Sequence, residues 1–241
     1  MNRHRILGLS ALVVIAIGLY FGSQAPLDGL QGEYTRIMYV HVPSAWLAYL
    51  SFLVTLVASI LWLTKRRLVF DRVAESSVSI GVFFTALALM TGMIWGYPVW
   101  GTFWDWGDAR MMTTALMFFV YVGYLALRRS IPDPAMRATR SAVLGIVAFF
   151  LVPLSYMSVL IVRTLHQGIT VARPDSPIDG EILLALLSNV GAFTVVYLTF
   201  MSLKTAIARG EEELEEQSAA VDATPAGAAI TAPNLEKVRD V

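Results

Sequence analysis

Six long apolar stretches almost free of charge determine what this chain of 241 residues can fold into. An α-helix needs about 20 apolar residues to cross a bilayer core of about 30 Å, and each stretch approaches or exceeds that length. Since lipid offers the backbone no hydrogen-bond partners, such segments cross it as helices. We therefore predict an all-α polytopic membrane protein with six transmembrane helices, and a soluble globular enzyme is excluded. The predicted spans are 6–22, 42–64, 76–104, 111–127, 141–162 and 182–203, the third with its tail outside the membrane.

The distribution of basic residues predicts the orientation of the spans. With the N-terminus in the cytoplasm, fourteen of the 18 lysines and arginines lie on the cytoplasmic side. Such an excess is typical of cytoplasmic segments, so both termini are predicted to be cytoplasmic. The outer loops are then about 23–41, 97–110 and 163–180. The four basic residues predicted outside are Arg36, Arg110, Arg163 and Arg173.

The two ends of the chain differ from its middle. The first apolar stretch follows MNRHR and precedes GSQA, which also resembles a secretory signal peptide. Its cleavage site is poor, which favours a retained helix. Residues 210–241 contain few large apolar side chains and are predicted to form a disordered cytoplasmic tail after a membrane domain of residues 1–209.

A tryptophan-rich segment separates the third span from the fourth. It reads WGYPVWGTFWDWGDAR and contains Trp95, Trp100, Trp104 and Trp106. Tryptophan also gathers in the aromatic belts of membrane proteins, but a belt spreads over many helix ends. Four indoles in one segment favour a platform for a large flat ligand. Trp100 and Trp104 would share a face if this segment formed a short helix on the outer surface.

Two of the three histidines, His41 and His166, are predicted on the same outer side as this segment. Pro43 suits the first turn of a helix, which puts His41 at the mouth of the second span. Neutral imidazoles ligate haem iron, and two of them fill both axial positions. The alternative is that each is a solvated loop residue. Their shared depth beside the aromatic segment favours metal ligation, and haem is the leading candidate.

Other polar residues nearby are candidates for supporting roles. Arginines bind carboxylates in a bidentate manner, so Arg36 and Arg110 are candidate partners of haem propionates. Asp108 is predicted to cap the fourth span. Gly96 and Gly101 would let a ligand approach the backbone. The chain has no cysteine, which excludes thiolate ligation and disulfides.

The motifs WGTFWDWGDAR, RIMYVHVPSAW and RTLHQG together resemble a family of haem-handling proteins of cytochrome c maturation, the CcmC type. The similarity covers roughly residues 33–200. It implies that His41 and His166 are the axial ligands of a haem b iron, and that basic residues lie near the haem. In the family the acidic residue directly follows the last tryptophan, whereas here Gly107 intervenes, so either Asp105 or Asp108 takes its role. The residues implied to bind haem are His41, His166, Trp95, Trp100, Gly101, Trp104, Trp106, Asp108, Arg36 and Arg110.

The resemblance also implies a function, a location and a set of partners. The protein would hold haem at the periplasmic face of a bacterial inner membrane and pass it to a membrane-anchored haem chaperone of the CcmE type. An ABC transporter module of the CcmA/CcmB type and a small single-span subunit of the CcmD type would act with it. Such activity is haem transfer rather than conventional enzyme catalysis.

Two alternatives compete with this interpretation. The chain is a transporter of haem or another small molecule, or it is a non-catalytic structural subunit of a membrane complex. The six predicted spans contain essentially no charged residues, which argues against an ion-coupled transport path. No basic patch for a nucleic acid is present.

Overall fold

A computed structural model describes residues 3–171 and 175–222, and its regular elements are helices. Arg173 and residues 223–241 of the predicted tail lie outside the described residues. Two compact units divide the chain, Met1–Thr205 and Ala206–Val241. The helices are α1 (Arg3–Gln24), α2 (Met38–Lys65), α3 (Leu68–Trp100), α4 (Ala109–Ser130), α5 (Pro134–Ala148), α6 (Leu151–Ile161) and α7 (Gly180–Asp222), with a 3-10 helix at Glu33–Ile37 before α2.

The prediction of six membrane spans is confirmed. Among the described residues, six helical segments are long and apolar enough to cross a bilayer. The fifth, Pro134–Ile161, consists of α5 and α6 with a break at Phe149 and Phe150. Pro153 causes this break, because it has no N–H to donate to the Phe149 carbonyl. The Val152 amide donates to that carbonyl instead, at 2.9 Å.

Several helices extend beyond the uncharged stretches of the sequence. α3 begins at Leu68, before the predicted span, so its first turns carry Asp71 and Glu75. α7 continues to Asp222, so residues 210–222 are helical where disorder was predicted. This extension is rich in glutamate and alanine, which favour helices, and Arg209 pairs with Glu213 one turn later at 2.8 Å.

Local sequence signals determine where the helices begin and end. Asp133 accepts a hydrogen bond from the Met136 amide and caps α5, and Pro134 occupies its first turn. Asp108 caps α4 through the Met111 amide, as predicted. Gly101 ends α3 in the left-handed conformation at φ 76°, with its amide bonded to the Tyr97 carbonyl at 2.9 Å.

α1 is docked to the bundle by specific contacts. The buried Asn189 side chain of α7 donates to the Gly18 carbonyl of α1 at 2.8 Å. A Cβ at Gly22 would lie 2.8 Å from the Tyr39 ring, so glycine permits this close approach. Removal of α1 would therefore take one acceptor from a buried amide, which is costly in an apolar environment.

A buried ion cluster joins α3 to α4 near the beginning of α3. Arg128 donates to both carboxylate oxygens of Asp71, at 2.6 and 2.8 Å, and to Glu75 at 2.8 Å. The Arg128 side chain is 4% exposed. Next to this cluster the core contains Phe52 stacked on Tyr121, with 3.6 Å between ring centroids.

Candidate functional site

The candidate site lies at one end of the bundle, which we call the histidine end. Here α1, α3 and α6 finish, and α2, α4 and α7 begin. Ala25, Met38 and Ile182 pack in one apolar cluster, with Trp95 against it, so these helix ends are neighbours. His41, His166 and the tryptophan-rich segment all lie at this end.

His41 is fixed between α2 and α3. Its Nδ1 lies 2.9 Å from the Ala88 carbonyl oxygen and 3.2 Å from the Thr91 hydroxyl. Since a carbonyl only accepts, Nδ1 carries the proton and Nε2 keeps its lone pair. A Cβ at Gly92 would lie 2.9 Å from the His41 Cε1 atom, so only glycine leaves room for the ring.

The position of His41 differs from the prediction. His41 was expected in the last residue of a loop, with Pro43 in the first turn of the helix. The helix α2 begins at Met38, and the 3-10 helix Glu33–Ile37 leads directly into it. His41 therefore belongs to a helix that packs against α3, which gives its imidazole partners on a neighbouring backbone.

His166 is held by Asp108. It lies in the irregular segment 162–171 after α6, and its Nδ1 is 3.3 Å from the Asp108 carboxylate. A carboxylate accepts the Nδ1 proton and again leaves Nε2 available. Among the described residues, neither histidine has a hydrogen bond at Nε2. In both imidazoles the nitrogen without a protein partner is Nε2, which is a nitrogen that can ligate a metal.

Asp108 links three parts of the site. Its Oδ1 accepts from the Met111 amide at 2.9 Å, and its Oδ2 accepts from the Leu165 amide at 2.7 Å. The pKa of Asp108 is lowered: burial acts to raise it, but the bonds from these two amides and from His166 outweigh burial. The Asp105 side chain, by contrast, lies at an exposed turn, where it accepts from the Gly107 amide and from no other described residue. Asp108 is therefore the acidic residue that contacts a histidine.

The two histidines and Arg110 form one electrostatic group. His41 lies close enough to His166 and Arg110 for their charges to act on it. Burial lowers the pKa of His166, Asp108 acts to raise it, and Arg110 lowers it further, with a net lowering. His166 is therefore a neutral imidazole at pH 7, the form that binds a metal.

The tryptophans divide between the histidines and the segment beyond α3. Trp95 contacts His41 edge-on, with ring centroids 5.7 Å apart, and Trp100 contacts His166 at 5.2 Å. Trp104 contacts Trp106 at 5.8 Å, and Trp106 is largely exposed. α3 ends at Trp100, so no helix carries both Trp100 and Trp104 on one face as predicted.

The predicted glycines serve the backbone of this segment. Gly101 provides the positive φ that ends α3, and a Cβ on it would meet nothing within 4 Å. A Cβ at Gly96 would lie 3.0 Å from the Trp100 ring, so Gly96 makes room for that indole. Their roles are therefore to end the helix and to seat Trp100.

The two candidate arginines have different surroundings. Arg36 pairs with Glu33 at 2.5 Å and donates to the Gly22 and Ser23 carbonyls at the end of α1. Its guanidinium thus caps a helix C-terminus. Arg110 donates one hydrogen bond, to the Tyr156 carbonyl at 2.8 Å, and its buried Nε has no partner among the described residues. Trp104 Nε1 is also buried without an acceptor.

Two spaces open at the histidine end. An open groove of about 460 Å³ borders His166 and is lined by residues 159–164. A second cavity of about 380 Å³ lies beside Trp95, with Gln31, Gln167 and Ile182 also in its wall. Trp95 donates to the Gln31 side chain at 2.9 Å.

Sequence reasoning missed the partners of His41. Ala88, Thr91 and Gly92 lie in the third apolar stretch, and none of them is a residue type that indicates a binding site. Glycine is unfavourable in a helix interior, so Gly92 was a signal of close packing at this position. Its neighbour could not be identified without the tertiary contact.

Comparison with known proteins shows the family to which this sequence belongs. The family model described as "CcmC: Heme exporter protein C" matches residues 2–220. The heme exporter protein C of Bradyrhizobium diazoefficiens is 40% identical over 194 residues, 80% of this chain and 73% of the relative. That of Escherichia coli K12 is 33% identical over 207 residues, 83% of this chain and 82% of the relative. A ccmC-like mitochondrial protein of Arabidopsis thaliana, named for cytochrome c biosynthesis, is 34% identical over 194 residues, 80% of this chain and 73% of the relative.

Proposed function

We propose a haem-presenting role for this chain, which belongs to the CcmC family, heme exporter protein C. The protein binds haem b at the periplasmic face of the bacterial inner membrane and delivers it to a membrane-anchored chaperone of the CcmE type during cytochrome c maturation. Haem is here a cargo rather than a resident cofactor. The family and the six spans support a haem-handling membrane protein, and the site geometry supports the finer assignment.

One observation carries the proposal: both imidazoles have Nδ1 engaged by the protein and Nε2 left available. His41 donates to the Ala88 carbonyl and His166 to the Asp108 carboxylate. Such outer partners fix the tautomer and orientation of metal-binding histidines. Trp95 and Trp100, each packed on one histidine, restrict the rings further. We therefore assign His41 and His166 as the two axial ligands.

The unpaired donors of the site fit the acidic edge of a porphyrin. Buried donors without acceptors are rare in native proteins, and Arg110 Nε and Trp104 Nε1 are two of them. Haem propionates are carboxylates that would accept from both groups. Arg110 is the better propionate partner, because Arg36 is already committed to Glu33 and to the end of α1. Trp106, largely exposed, would cover the macrocycle.

The proposal includes partners and a bilayer orientation. An ABC transporter module of the CcmA/CcmB type and a single-span subunit of the CcmD type act beside this chain, and no nucleic acid takes part. The histidine end faces the periplasm, and both termini are cytoplasmic. The excess of basic residues toward the opposite end supports this orientation.

The haem assignment is tested on purified full-length protein in detergent. We expect the bound haem to give a six-coordinate, low-spin absorption spectrum with one haem per chain by the pyridine haemochrome assay. A colourless protein that accumulates haem in vesicles would instead support the transporter, and a colourless protein without transport would support the structural subunit.

The orientation is tested by cysteine labelling, for which this cysteine-free chain is well suited. We expect Gly29→Cys and Gly168→Cys to react with a membrane-impermeant maleimide added to spheroplasts, and Gly210→Cys to react only after permeabilisation. A Cβ at each position meets nothing within 4 Å, so the substitutions are tolerated. Labelling of Gly29→Cys and Gly168→Cys from opposite faces would refute a shared site.

Gly92 is predicted to be essential for the orientation of His41. In Gly92→Ala the new Cβ would lie 2.9 Å from His41 Cε1, so the ring must turn away from Ala88. We expect a loss of about 10- to 100-fold in haem affinity, the usual effect of disturbing an outer partner of a metal ligand. Haem titration measures it. Gly191→Ala in α7, where a Cβ meets nothing within 4 Å, is the matched control and should bind like the wild type.

A further inference from the structure

The two imidazoles are held by parts of the molecule that differ in rigidity. His41 lies within α2, and its partners Ala88 and Thr91 lie within α3. The missing Cβ of Gly92 lets the ring lie against the α3 backbone. His41 is therefore anchored to a neighbouring helix as well as to its own.

His166 lies in the irregular segment 162–171. From outside this segment it is contacted by the Asp108 carboxylate, its hydrogen-bond partner, and by the Trp100 ring at 5.2 Å between centroids. Asp108 accepts from the Leu165 amide at 2.7 Å and contacts His166 Nδ1 at 3.3 Å. Within the segment, the Thr164 hydroxyl accepts from the His166 amide at 3.1 Å, which shapes the turn. The open groove of about 460 Å³ also borders His166.

We propose that His166 is the exchangeable axial ligand, that His41 is the fixed one, and that Asp108 is the latch that keeps His166 in place. This inference rests on the proposed haem site. When the Asp108 contacts with Leu165 and His166 break, segment 162–171 moves and His166 withdraws. The iron–Nε2 bond breaks with its electron pair returning to His166, and the incoming ligand donates one pair to the same position. The iron keeps its oxidation state.

The geometry explains why a single residue acts as the latch. Asp108 is 1% exposed and both of its oxygens are used, one for the α4 cap and one for segment 162–171. Hydrogen bonds to a buried carboxylate are charge-assisted, so they hold the segment that contains Leu165 and His166 firmly when no partner is bound. The order of release follows from this difference. His166, which borders the open groove, leaves the iron first, and His41, which lies between α2 and α3, holds the haem until transfer.

The latch can be tested without haem. In Asp108→Asn, Asn Oδ1 still caps α4 through Met111, because asparagine is a good N-cap. The new NH₂ group cannot accept from Leu165 or His166. We expect amide hydrogen exchange at Leu165 and His166 to accelerate at least about tenfold in the full-length protein. Asp105→Asn is the control. Asp105 lies in the same loop as Asp108, but its side chain accepts from the Gly107 amide and does not contact His166, so hydrogen exchange at the Leu165 and His166 amides should match that of the wild type. Equal exchange in Asp108→Asn and the wild type would overturn the latch.

The asymmetry is tested on the haem-loaded protein with imidazole as the incoming ligand. We expect imidazole to replace the axial histidine about 10- to 100-fold faster in Asp108→Asn than in the wild type, as measured by stopped-flow absorption. In Thr91→Val, which removes a contact of the fixed ligand, the rate should stay within about twofold. An unchanged rate in Asp108→Asn, or a larger acceleration in Thr91→Val, would overturn this inference and leave the proposed function standing. A wild-type protein without a six-coordinate spectrum would overturn the proposed function as well.

Discussion

His41→Ala and His166→Ala should each abolish the six-coordinate haem spectrum, and the double variant should bind no haem that survives gel filtration. Each imidazole supplies one of the two axial bonds in the proposed site. Loss of an outer partner of a metal ligand already costs about 10- to 100-fold in affinity, so loss of the ligand itself should cost more. The measurement is the absorption spectrum together with haem titration of the purified full-length variants.

The third histidine provides the control for this experiment. His4 lies near the beginning of α1, at the other end of that helix from the histidine end. His4→Ala should keep the wild-type spectrum and affinity. If either His41→Ala or His166→Ala kept a six-coordinate spectrum, a different residue would be the axial ligand and the assignment would be wrong.

Arg128→Ala should lower the free energy of unfolding by about 3–5 kcal/mol, the usual cost of removing one partner from a buried ion pair. The variant leaves the carboxylates of Asp71 and Glu75 without their shared cation, and Asp71 is itself buried. Because the guanidinium binds Asp71 through two parallel hydrogen bonds, Arg128→Lys should fall between alanine and the wild type. Denaturant unfolding in mixed micelles, followed by tryptophan fluorescence, measures these differences.

The adjacent residue gives a matched control for the ion cluster. Arg129 is exposed on the same helix turn, so Arg129→Ala should change stability by less than about 0.5 kcal/mol. Equal stability of Arg128→Ala and Arg129→Ala would mean that the buried cluster contributes nothing to the fold. Replacement of Arg128, Asp71 and Glu75 together by apolar residues should recover much of the loss, since no unpaired charge remains.

The parts of this protein that sequence could predict depend on properties of short segments. Six apolar stretches predicted the six spans, and Asp108 was predicted as the cap of α4. The predicted boundaries were less accurate where charge enters a helix. Asp71 and Glu75 lie in α3 and are both paired with Arg128 of α4, and a hydropathy profile along the chain contains no information on such a partner.

The candidate site shows the same division. Residue type and hydropathy are properties of the chain, so the amino-acid sequence was enough to identify the groups with the relevant chemistry, two imidazoles and a tryptophan-rich segment. Their partners could be identified only from the folded structure, because Ala88 is 47 positions from His41 and Asp108 is 58 positions from His166. Hydrogen bonds at such separation form only when packed helices bring the two groups together. The protonation of each imidazole, and the difference in how firmly each is held, therefore come from the packing of α2 on α3 and from the position of Asp108 at the start of α4.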